Sequence, residues 1–354
     1  MSKRIGILTG GGDCPGLNPA IRGAVIQALE LGYECWGIEE GWKGLIEARA
    51  QPLPLQSVEG IVGKGGTILG TSRTNPFKKE KGTEKALAGF KSLGLDALIA
   101  MGGEDTLGVA RRLYAEHQVK VVGVPKTMDN DLSATDYTFG FDTATTIAVE
   151  AAERLIDTGK SHRRAMVLEV MGREAGWVAL FTGIASGADY IAIPEKQFDE
   201  AQMALQVKKA YDRKKYALII TSEALRFSQT NAAENIPGKD DFGHALLKEQ
   251  GVGDTVAKMI EKSTGIETRA AVIGHIQRGG PPTLFDRILA TRVGMKASQM
   301  VHSGHFGKMA ALKGNETVEV SLEDAVGALK KVSPAWIKIA ETLCGERALV
   351  SQQR

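Results

Sequence analysis

The amino-acid sequence predicts an α/β fold built on parallel β-sheets. Short apolar runs rich in β-branched residues alternate with stretches in which apolar residues recur at helical spacing, and this alternation is typical of βαβ units. Glycine-rich or charged turns follow several of the short runs. A chain of 354 residues is long enough for two domains of this kind.

The short apolar runs are the predicted strands. Their length suits buried strands, and turn-forming or charged residues flank them. The predicted strands are Arg4–Leu8, Glu34–Ile38, Asp96–Met101, Val119–Val124, Ala165–Val170, Tyr216–Thr221 and Arg269–Ile273.

Several intervening stretches are predicted helices. Apolar residues recur at helical spacing in Ile21–Leu29 and again in Leu107–Tyr114, so each helix should have one face in a core. The Ala-rich segment Thr143–Leu155 is predicted to be a further helix that could bridge two domains. Residues 226–251 are polar and contain Pro237-Gly238, and they are predicted to be an inserted, mobile surface loop.

Composition and charge narrow the class of protein. Lys and Arg total 44 against 42 for Asp and Glu, so bulk charge gives no indication of nucleic-acid or membrane binding. The three cysteines lack CxxC spacing and are expected to be free thiols in a reducing compartment. The apolar run at the N-terminus is too short for a signal peptide or a membrane span. A cytoplasmic protein without nucleic-acid or membrane partners is predicted.

Two groups of ionisable side chains follow predicted strands. Gly102–Thr106 comes after one strand, and Pro125–Asp131 comes after the next. In open parallel sheets ligands bind outside the carboxyl ends of the strands, so both groups should meet in one crevice. The ionisable residues are Glu104, Asp105, Lys126, Asp129 and Asp131. Four carboxylates in one crevice favour a hard cation such as Mg²⁺ together with a polyanion, and they indicate phosphoryl transfer.

Glycine-rich turns at other strand ends support an anion-binding function. Thr9–Gly16 joins the first strand to the first helix, but its spacing matches neither the dinucleotide fingerprint nor the P-loop. Further such turns are Gly65–Arg73, Met171–Trp177 and Gly274–Gly280; each by itself is compatible with a capped turn beside a surface arginine. Arginines suited to bidentate phosphate contacts lie near the strand ends. They are Arg73, Arg164, Arg173, Arg269 and Arg278.

Four motifs together resemble those of the 6-phosphofructokinase family. They are Gly11–Asn18, Thr127–Asp131, Met171–Arg173 and Gly274–Gly280, and the resemblance extends from Ile5 to about Gly304. It implies two Rossmann-like three-layer α/β domains with mainly parallel sheets. It also implies Mg²⁺-assisted phosphoryl transfer to the 1-hydroxyl of fructose 6-phosphate.

The resemblance implies catalytic roles for four residues. Asp129 would be the general base that accepts the proton of the sugar 1-hydroxyl. Thr127 and Arg173 would stabilise the phosphoryl group during transfer, and Arg73 would support the donor. A turn cap is the structural alternative for Asp129, and helix-dipole complementation is the alternative for Glu104.

The resemblance also implies binding roles. Glu104, where most relatives carry Asp, would hold Mg²⁺ with help from Asp131. The donor would contact Gly11, Gly12, Gly103, Asp105 and Lys126. The sugar phosphate would contact Thr127, Asp129, Met171, Gly172, Arg173, Glu223, His275 and Arg278. Arg164 and Arg269 would reach the sugar phosphate from a neighbouring subunit, which implies a homodimer or homotetramer with shared active sites.

The phosphoryl donor is predicted to be pyrophosphate. ATP-using relatives typically have glycine at the positions of Asp105 and Lys126, whereas pyrophosphate-using relatives typically have Asp and Lys. Asp105 would lie where the α-phosphate of ATP runs, and two like charges about 4 Å apart repel by roughly 4 kcal/mol at an effective dielectric of about 20. An N-cap of a helix over residues 106–117 is the structural alternative for Asp105. The reaction with pyrophosphate is expected to be reversible.

Domain boundaries and regulation are further expectations. Residues 1–140 with 252–305 are predicted to form the domain that binds the donor and Mg²⁺. Residues 141–251 with 306–335 are predicted to bind the sugar phosphate, and 336–354 to form a C-terminal tail. Allosteric bacterial relatives have an arginine at the position of Ile26. The pair Lys214-Lys215 can be explained as ordinary basic residues at a helix C-terminus and need not belong to an effector site. Control of the activity by nucleotides should therefore be weak or absent.

Other functions stay open at the level of the sequence. Within the enzymes, the alternatives are an ATP-dependent 6-phosphofructokinase and a sedoheptulose 7-phosphate kinase. A non-catalytic sugar-phosphate-binding subunit is a different class, and it would have no use for a general base such as Asp129. A dinucleotide-dependent oxidoreductase is disfavoured because its glycine fingerprint is missing.

Overall fold

The protein consists of two compact units, each with its own β-sheet. The structure, a computed structural model, describes residues 3–227 and 251–345. Within these ranges, the first unit contains residues 3–143 and 278–329, and the second contains 144–227, 251–277 and 330–345. The predicted insertion at 226–251 lies outside the described residues except at its ends. No helix in the described part of the chain is long and apolar enough to cross a membrane.

The strands are short and largely buried. In chain order they are β1 (Arg4–Thr9), β2 (Glu34–Ile38), β3 (Ala50–Pro52), β4 (Ala97–Gly102), β5 (Val121–Pro125), β6 (Ala165–Val170), β7 (Tyr190–Ala192), β8 (Ala217–Ser222), β9 (Thr268–Val272), β10 (Lys308–Lys313) and β11 (Glu316–Ser321). Each strand predicted from the sequence is present, with bounds that agree or shift by one or two residues.

The helices alternate with these strands. In chain order they are α1 (Leu17–Glu30), α2 (Trp42–Ile46), α3 (Gly82–Ser92), α4 (Glu104–His117), α5 (Phe141–His162), α6 (Trp177–Ser186), α7 (Glu200–Lys214), α8 (Val252–Thr264), α9 (Leu284–His302), α10 (Leu322–Val326) and α11 (Pro334–Leu343). Short 3₁₀ helices span Leu55–Val58, Pro76–Lys78 and Gly274–Arg278. The three helical segments predicted from the sequence lie in α1, α4 and α5.

The first unit is a sheet covered by helices. Its strand order is β11-β10-β5-β4-β1-β2-β3, with only the two edge strands antiparallel to their neighbours. On one face, Leu8, Leu98 and Ala100 pack in a core with residues of α2, α3, α4 and α10. Ile7 and Ile99 alternate with these residues and are buried too, as expected for a sheet covered on both faces. Helices α1 and α9 pack closely together in the same unit.

The second unit has a smaller, fully parallel sheet in the order β7-β8-β6-β9. Helices α7 and α8 supply apolar side chains to its core, among them Val207 and Val256. Strand β9 is an edge strand and exposes Val272. Both units are therefore α/β units with mainly parallel sheets, as the sequence predicts.

The domain boundaries differ from the predicted ones. Residues 252–277 were predicted in the donor domain, but they form α8 and β9 of the second unit, where β9 pairs with β6. Residues 306–329 were predicted in the sugar-phosphate domain, but β10 pairs with β5 in the first sheet. The predicted tail contains most of α11, which belongs to the second unit. The sequence predicts β5 and β9 but not their partners, and it does not predict α8, β10 or α11.

The N-termini of α5 and α9 cap each other within the first unit. Thr143 donates to Asp286 Oδ2 from its backbone N (2.8 Å) and from its Oγ1 (2.5 Å). In return, Thr283 Oγ1 donates to Asp142 Oδ2 at 2.6 Å. Carboxylates near helix N-termini satisfy free N–H groups and complement the helix dipole.

Burial of Asp286 should make stability depend on pH. Burial raises the pKa of the Asp286 carboxyl from 3.8 to about 6. Because the folded protein then holds this proton more tightly than the unfolded chain, the free energy of unfolding should fall by about 3 kcal/mol as the pH rises from about 4 to about 6, and this group adds no further change above that. Denaturant unfolding of the wild type and of Asp286→Asn at several pH values gives their free energies of unfolding, and the difference between the two measures this contribution. A difference that is constant with pH would contradict it.

Candidate active site

The turns after β1, β4 and β5 lie side by side at one edge of the first sheet. Thr9 is in register with Met101, and Gly102 is in register with Pro125. The ladder continues beyond the strands, because the backbone N of Gly10 donates to Met101 O and that of Lys126 donates to Gly102 O, both at 3.0 Å. The carboxyl ends of the three strands therefore bring the first glycine turn and both ionisable segments together.

The loop that carries Arg73 is tied to the first glycine turn. Thr71 Oγ1 donates to Gly11 O at 2.6 Å, and Gly11 N donates to Ser72 O at 3.1 Å. The Arg73 side chain follows directly and is exposed. An exposed guanidinium beside a glycine-rich backbone suits contact with an anionic ligand.

Asn18 holds the start of this loop. Its Nδ2 donates to Gly65 O at 3.0 Å, while Ile68 N donates to its Oδ1 at 2.8 Å. Asn18 is the second residue of α1, and the residue that caps this helix is Gly16. Nothing in the spacing of the sequence indicates a partner about 50 residues away, so this contact could not be predicted.

Glu104 and Asp105 form the first turn of α4. The helix begins at Glu104, and its N-cap is Gly103, which has no side chain. The alternative explanation of Asp105 as the N-cap is therefore wrong. Both carboxylates lie at the positive end of the helix dipole, which stabilises negative charge there.

Lys126 places a buried amino group beneath the glycine turn. The side chain is buried, and its Nζ donates to Gly12 O. Burial lowers the pKa of Lys126, and the nearby Arg278 guanidinium lowers it further, whereas Asp129 and Asp13 act in the opposite direction. Arg278 Nη1 donates to Asp13 O at 3.0 Å, so Arg278 lies beside the same turn in the first unit.

Thr127 and Asp129 form a tight turn after β5. Thr127 Oγ1 accepts a hydrogen bond from Asp129 N at 3.1 Å, and Thr138 Oγ1 donates to Thr127 O at 2.6 Å. The Asp129 side chain is only 4% exposed, and its Oδ1 has no hydrogen-bond partner among the described residues. A buried carboxylate oxygen without a partner is costly, and such groups commonly mark functional sites.

The two predicted metal ligands are both carboxylates. Glu104 begins α4, and Asp131 is a buried residue at the end of the β5 turn. No cluster of three or more His, Cys, Asp or Glu side chains in the described ranges is placed to hold a metal. Two carboxylates suit Mg²⁺, which commonly takes its other oxygen ligands from water and from a substrate phosphate.

A second group of predicted residues lies at the carboxyl edge of the second sheet. Met171 and Gly172 follow β6, and Glu223 follows β8, its neighbour in the sheet. Gly172 N donates to Glu223 Oε1 at 3.2 Å. Gly172 has a φ of 149°, a backbone conformation that residues other than glycine rarely adopt. Arg173 continues this turn, and His275 is exposed on the 3₁₀ helix after β9.

Arg164 and Arg269 lie at the opposite edge of the second sheet. Arg164 precedes β6, and Arg269 is near the start of β9, so both are at the amino ends of their strands. Both contact Glu267, at 2.9 Å and 2.6 Å respectively. Hydrogen bonding from Arg164 is the main reason that the pKa of Glu267 is lowered. Within this chain, the two arginines are therefore separate from the Met171–Gly172 turn.

The fold and the family comparison identify the class of protein. Residues 4–301 match the family described as Phosphofructokinase. The chain belongs to the phosphofructokinase family.

Individual relatives refine the comparison. The chain is 50% identical over 345 residues to the pyrophosphate–fructose 6-phosphate 1-phosphotransferase of Dictyoglomus thermophilum, an alignment that covers 97% of this chain and 99% of that protein. It is 45% identical over 343 residues to ATP-dependent 6-phosphofructokinase 3 of Streptomyces coelicolor, covering 96% of this chain and 99% of that protein.

A solved structure supports the same fold. The phosphofructokinase from Saccharomyces cerevisiae superposes with a TM-score of 0.78 at 28% sequence identity, and the match covers 97% of this chain. The chain spans about half the length of that protein, since the match covers 47% of it.

Proposed function

We propose that the protein transfers a phosphoryl group from pyrophosphate to the 1-hydroxyl of fructose 6-phosphate, giving fructose 1,6-bisphosphate and phosphate. The observation that carries this proposal is the set of side chains at the ends of β4 and β5, where Asp105, Lys126 and Asp129 follow adjacent strands. Identity of 50% with a relative named for this reaction supports it.

Asp129 is the proposed general base. Its buried Oδ1 has no hydrogen-bond partner among the described residues, so it is available to accept the proton of the sugar hydroxyl. Thr127 and Arg173 neutralise charge on the phosphoryl group, and Arg73 does so on the donor. Phosphoryl transfer depends on positioning and charge neutralisation more than on covalent chemistry, so these groups are sufficient for it.

Mg²⁺ is the proposed cofactor. Glu104 and Asp131 would hold it, and it would neutralise negative charge on the phosphate oxygens of the donor. Both residues offer carboxylate oxygens, and oxygen ligands favour a hard cation over a transition metal.

Asp105 and Lys126 are the proposed determinants of the donor. Asp105 carries its charge in the first turn of α4, where it would repel the α-phosphate of a nucleotide. Lys126 supplies a compact positive charge beneath the Gly11–Gly12 backbone, which suits pyrophosphate or the phosphate that leaves.

The second candidate is an ATP-dependent 6-phosphofructokinase. The 45% identity with such an enzyme of Streptomyces coelicolor favours it as the runner-up. It differs from the first candidate in the donor only, since the general base and the acceptor are the same.

The deciding experiment measures fructose 1,6-bisphosphate formation by the purified protein with Mg²⁺, fructose 6-phosphate and either pyrophosphate or ATP at matched concentrations. Turnover with pyrophosphate, and phosphate-dependent turnover in the reverse direction, is the expected result. Preference for ATP would overturn the donor assignment. Inactivity with both donors would favour sedoheptulose 7-phosphate as the acceptor, or a non-catalytic function.

Nucleotide control is proposed to be weak. Lys214, at the end of α7, is engaged within the second unit: its Nζ is 2.8 Å from Asp189 Oδ2 and 4.2 Å from the centre of the Tyr216 ring. At subsaturating fructose 6-phosphate, ADP or phosphoenolpyruvate should change the rate by less than about twofold, because typical allosteric coupling is about 5-fold or more. A larger activation or inhibition would contradict this prediction.

A cytoplasmic homodimer or homotetramer is proposed as the working form. Arg164 and Arg269 lie at the edge of the second sheet away from Met171 and Glu223. This placement is compatible with a role in the active site of a neighbouring subunit. The molar mass in solution and the activity of mixed Arg164→Ala and Asp129→Asn subunits test it, since shared sites restore activity in the mixture.

A further inference from the structure

One fully buried amide, that of Gln277, holds the turn on which the predicted sugar-phosphate contacts lie. The Gln277 side chain is 0% exposed. Its Oε1 accepts a hydrogen bond from Met171 N at 2.8 Å, and its Nε2 donates to Ala144 O at 3.2 Å. Both polar ends of the side chain are therefore used, and both bonds lie within the second unit.

The bond to Met171 acts at the point where β6 ends. Met171 is the first residue after the strand, and Gly172 then adopts its unusual φ of 149°. Glu223 Oε1 accepts from Gly172 N, and Ser222 Oγ donates to Gly172 O at 3.3 Å. Gln277 thus holds Met171, the first residue of this turn. The next residue, Gly172, is held by the side chains of Ser222 in β8 and Glu223 just after it.

The same amide also anchors the 3₁₀ helix Gly274–Arg278. Gln277 is its only fully buried side chain among the described residues, whereas His275 is exposed. A buried polar group without a hydrogen-bond partner is costly. The 3₁₀ helix is therefore held in the rotation about its axis in which the Gln277 amide makes both of its hydrogen bonds. That rotation determines where His275 leaves the helix.

We propose that Gln277 is a positioning residue for fructose 6-phosphate binding, which it supports by fixing the Met171–Gly172 turn relative to the helix that carries His275. This inference rests on the proposed function. Gln277 has no proposed contact with the substrate or with the reacting phosphoryl group. Its loss should therefore affect the binding of the sugar phosphate more than that of pyrophosphate.

The substitution Gln277→Glu tests this inference most sharply. A carboxylate can still accept from Met171 N, but it cannot donate to Ala144 O. Once protonated, the carboxylic acid can do both, and burial favours the protonated form. We expect the KM for fructose 6-phosphate, relative to wild type, to be raised about tenfold at about pH 8 and to return towards wild type at about pH 6.

The other ionisable side chains in or next to these segments are the same in both proteins, so the ratio of variant to wild type at each pH removes any contribution that they make. They are Asp142, Arg173, Glu223, His275 and Arg278. The KM for pyrophosphate and kcat should change by less than about threefold, because the inference concerns the placement of the sugar phosphate and not the chemical step.

A matched control is available in the same unit. Gln206 on α7 is also buried, but neither of its amide atoms has a hydrogen-bond partner among the described residues. Gln206→Glu and Gln206→Leu should leave the KM for fructose 6-phosphate within about twofold of wild type. Gln277→Leu should raise that KM at every pH without recovery in acid.

A readout that needs no substrate separates this inference from the proposed function. Hydrogen exchange at the Met171 amide should be faster in Gln277→Leu than in wild type and unchanged in Gln206→Leu, whatever reaction the protein catalyses. If wild type does not turn over fructose 6-phosphate but this exchange pattern is seen, only the proposed function fails. Unchanged exchange in Gln277→Leu, or a KM ratio for Gln277→Glu that does not vary with pH, would overturn the inference.

Discussion

Replacing Asp129 with Asn should lower kcat for fructose 1,6-bisphosphate formation by roughly 10³-fold or more. The substitution keeps the size of the side chain, but an amide cannot accept the proton of the sugar hydroxyl. The backbone bond from Asp129 N to Thr127 Oγ1 is retained, so the turn should keep its shape. Initial rates at saturating pyrophosphate and fructose 6-phosphate measure the change.

Asp286→Asn is the matched control for this prediction. Asp286 is also a buried aspartate of the first unit, but it caps a helix through Thr143 and has no proposed contact with a substrate. This variant should keep kcat within about threefold of wild type. A kcat for Asp129→Asn within about tenfold of wild type would rule out general-base catalysis by this residue.

Replacing Asp105 with Gly should raise kcat/KM for ATP by about 30-fold. This figure corresponds to about 2 kcal/mol, which is half of the repulsion calculated for two charges about 4 Å apart at an effective dielectric of about 20. Turnover with pyrophosphate should persist, because Lys126 and the glycine turn are unchanged. Parallel kinetics with the two donors measure the shift in preference.

Two further variants separate charge from helix stability. Asp105→Asn removes the charge with little change in size, so it should show much of the gain with ATP. Glu84→Gly removes a first-turn carboxylate from α3 in the same unit and should leave donor preference unchanged. A wild-type protein that already prefers ATP, or an Asp105→Gly protein with unchanged kcat/KM for ATP, would contradict the exclusion role.

Local patterns in the sequence predict the part of the site that follows directly from strand order. Apolar runs locate β1, β4 and β5, and the parallel-sheet rule places the turns after them at one edge. The register of Thr9 with Met101 and of Gly102 with Pro125 confirms this prediction. The edge on which each arginine lies could also be read from the sequence, since Arg164 precedes its strand whereas Arg173 follows it.

Contacts between distant segments could not be predicted in the same way. The β10–β11 hairpin has a local signal in its Gly314-Asn315 turn, but nothing local says that β10 pairs with β5. The side-chain bonds of Asn18 and Gln277 likewise join residues about 50 and about 106 positions apart. Such partners are set by tertiary packing, which periodicity and propensity do not encode.

The pairing of β10 with β5 has a consequence for the order in which the protein can fold during synthesis. The first five strands of the first unit precede the second unit in the chain, yet β10 and β11 complete its sheet from residues 308–321, and α9 packs on α1 from residues 284–302. While the ribosome translates the second unit, β5 therefore has an open edge and α1 lacks its partner. Although most of it is made before the second unit, the unit proposed to bind the donor cannot complete its fold until residues 284–321 have been made.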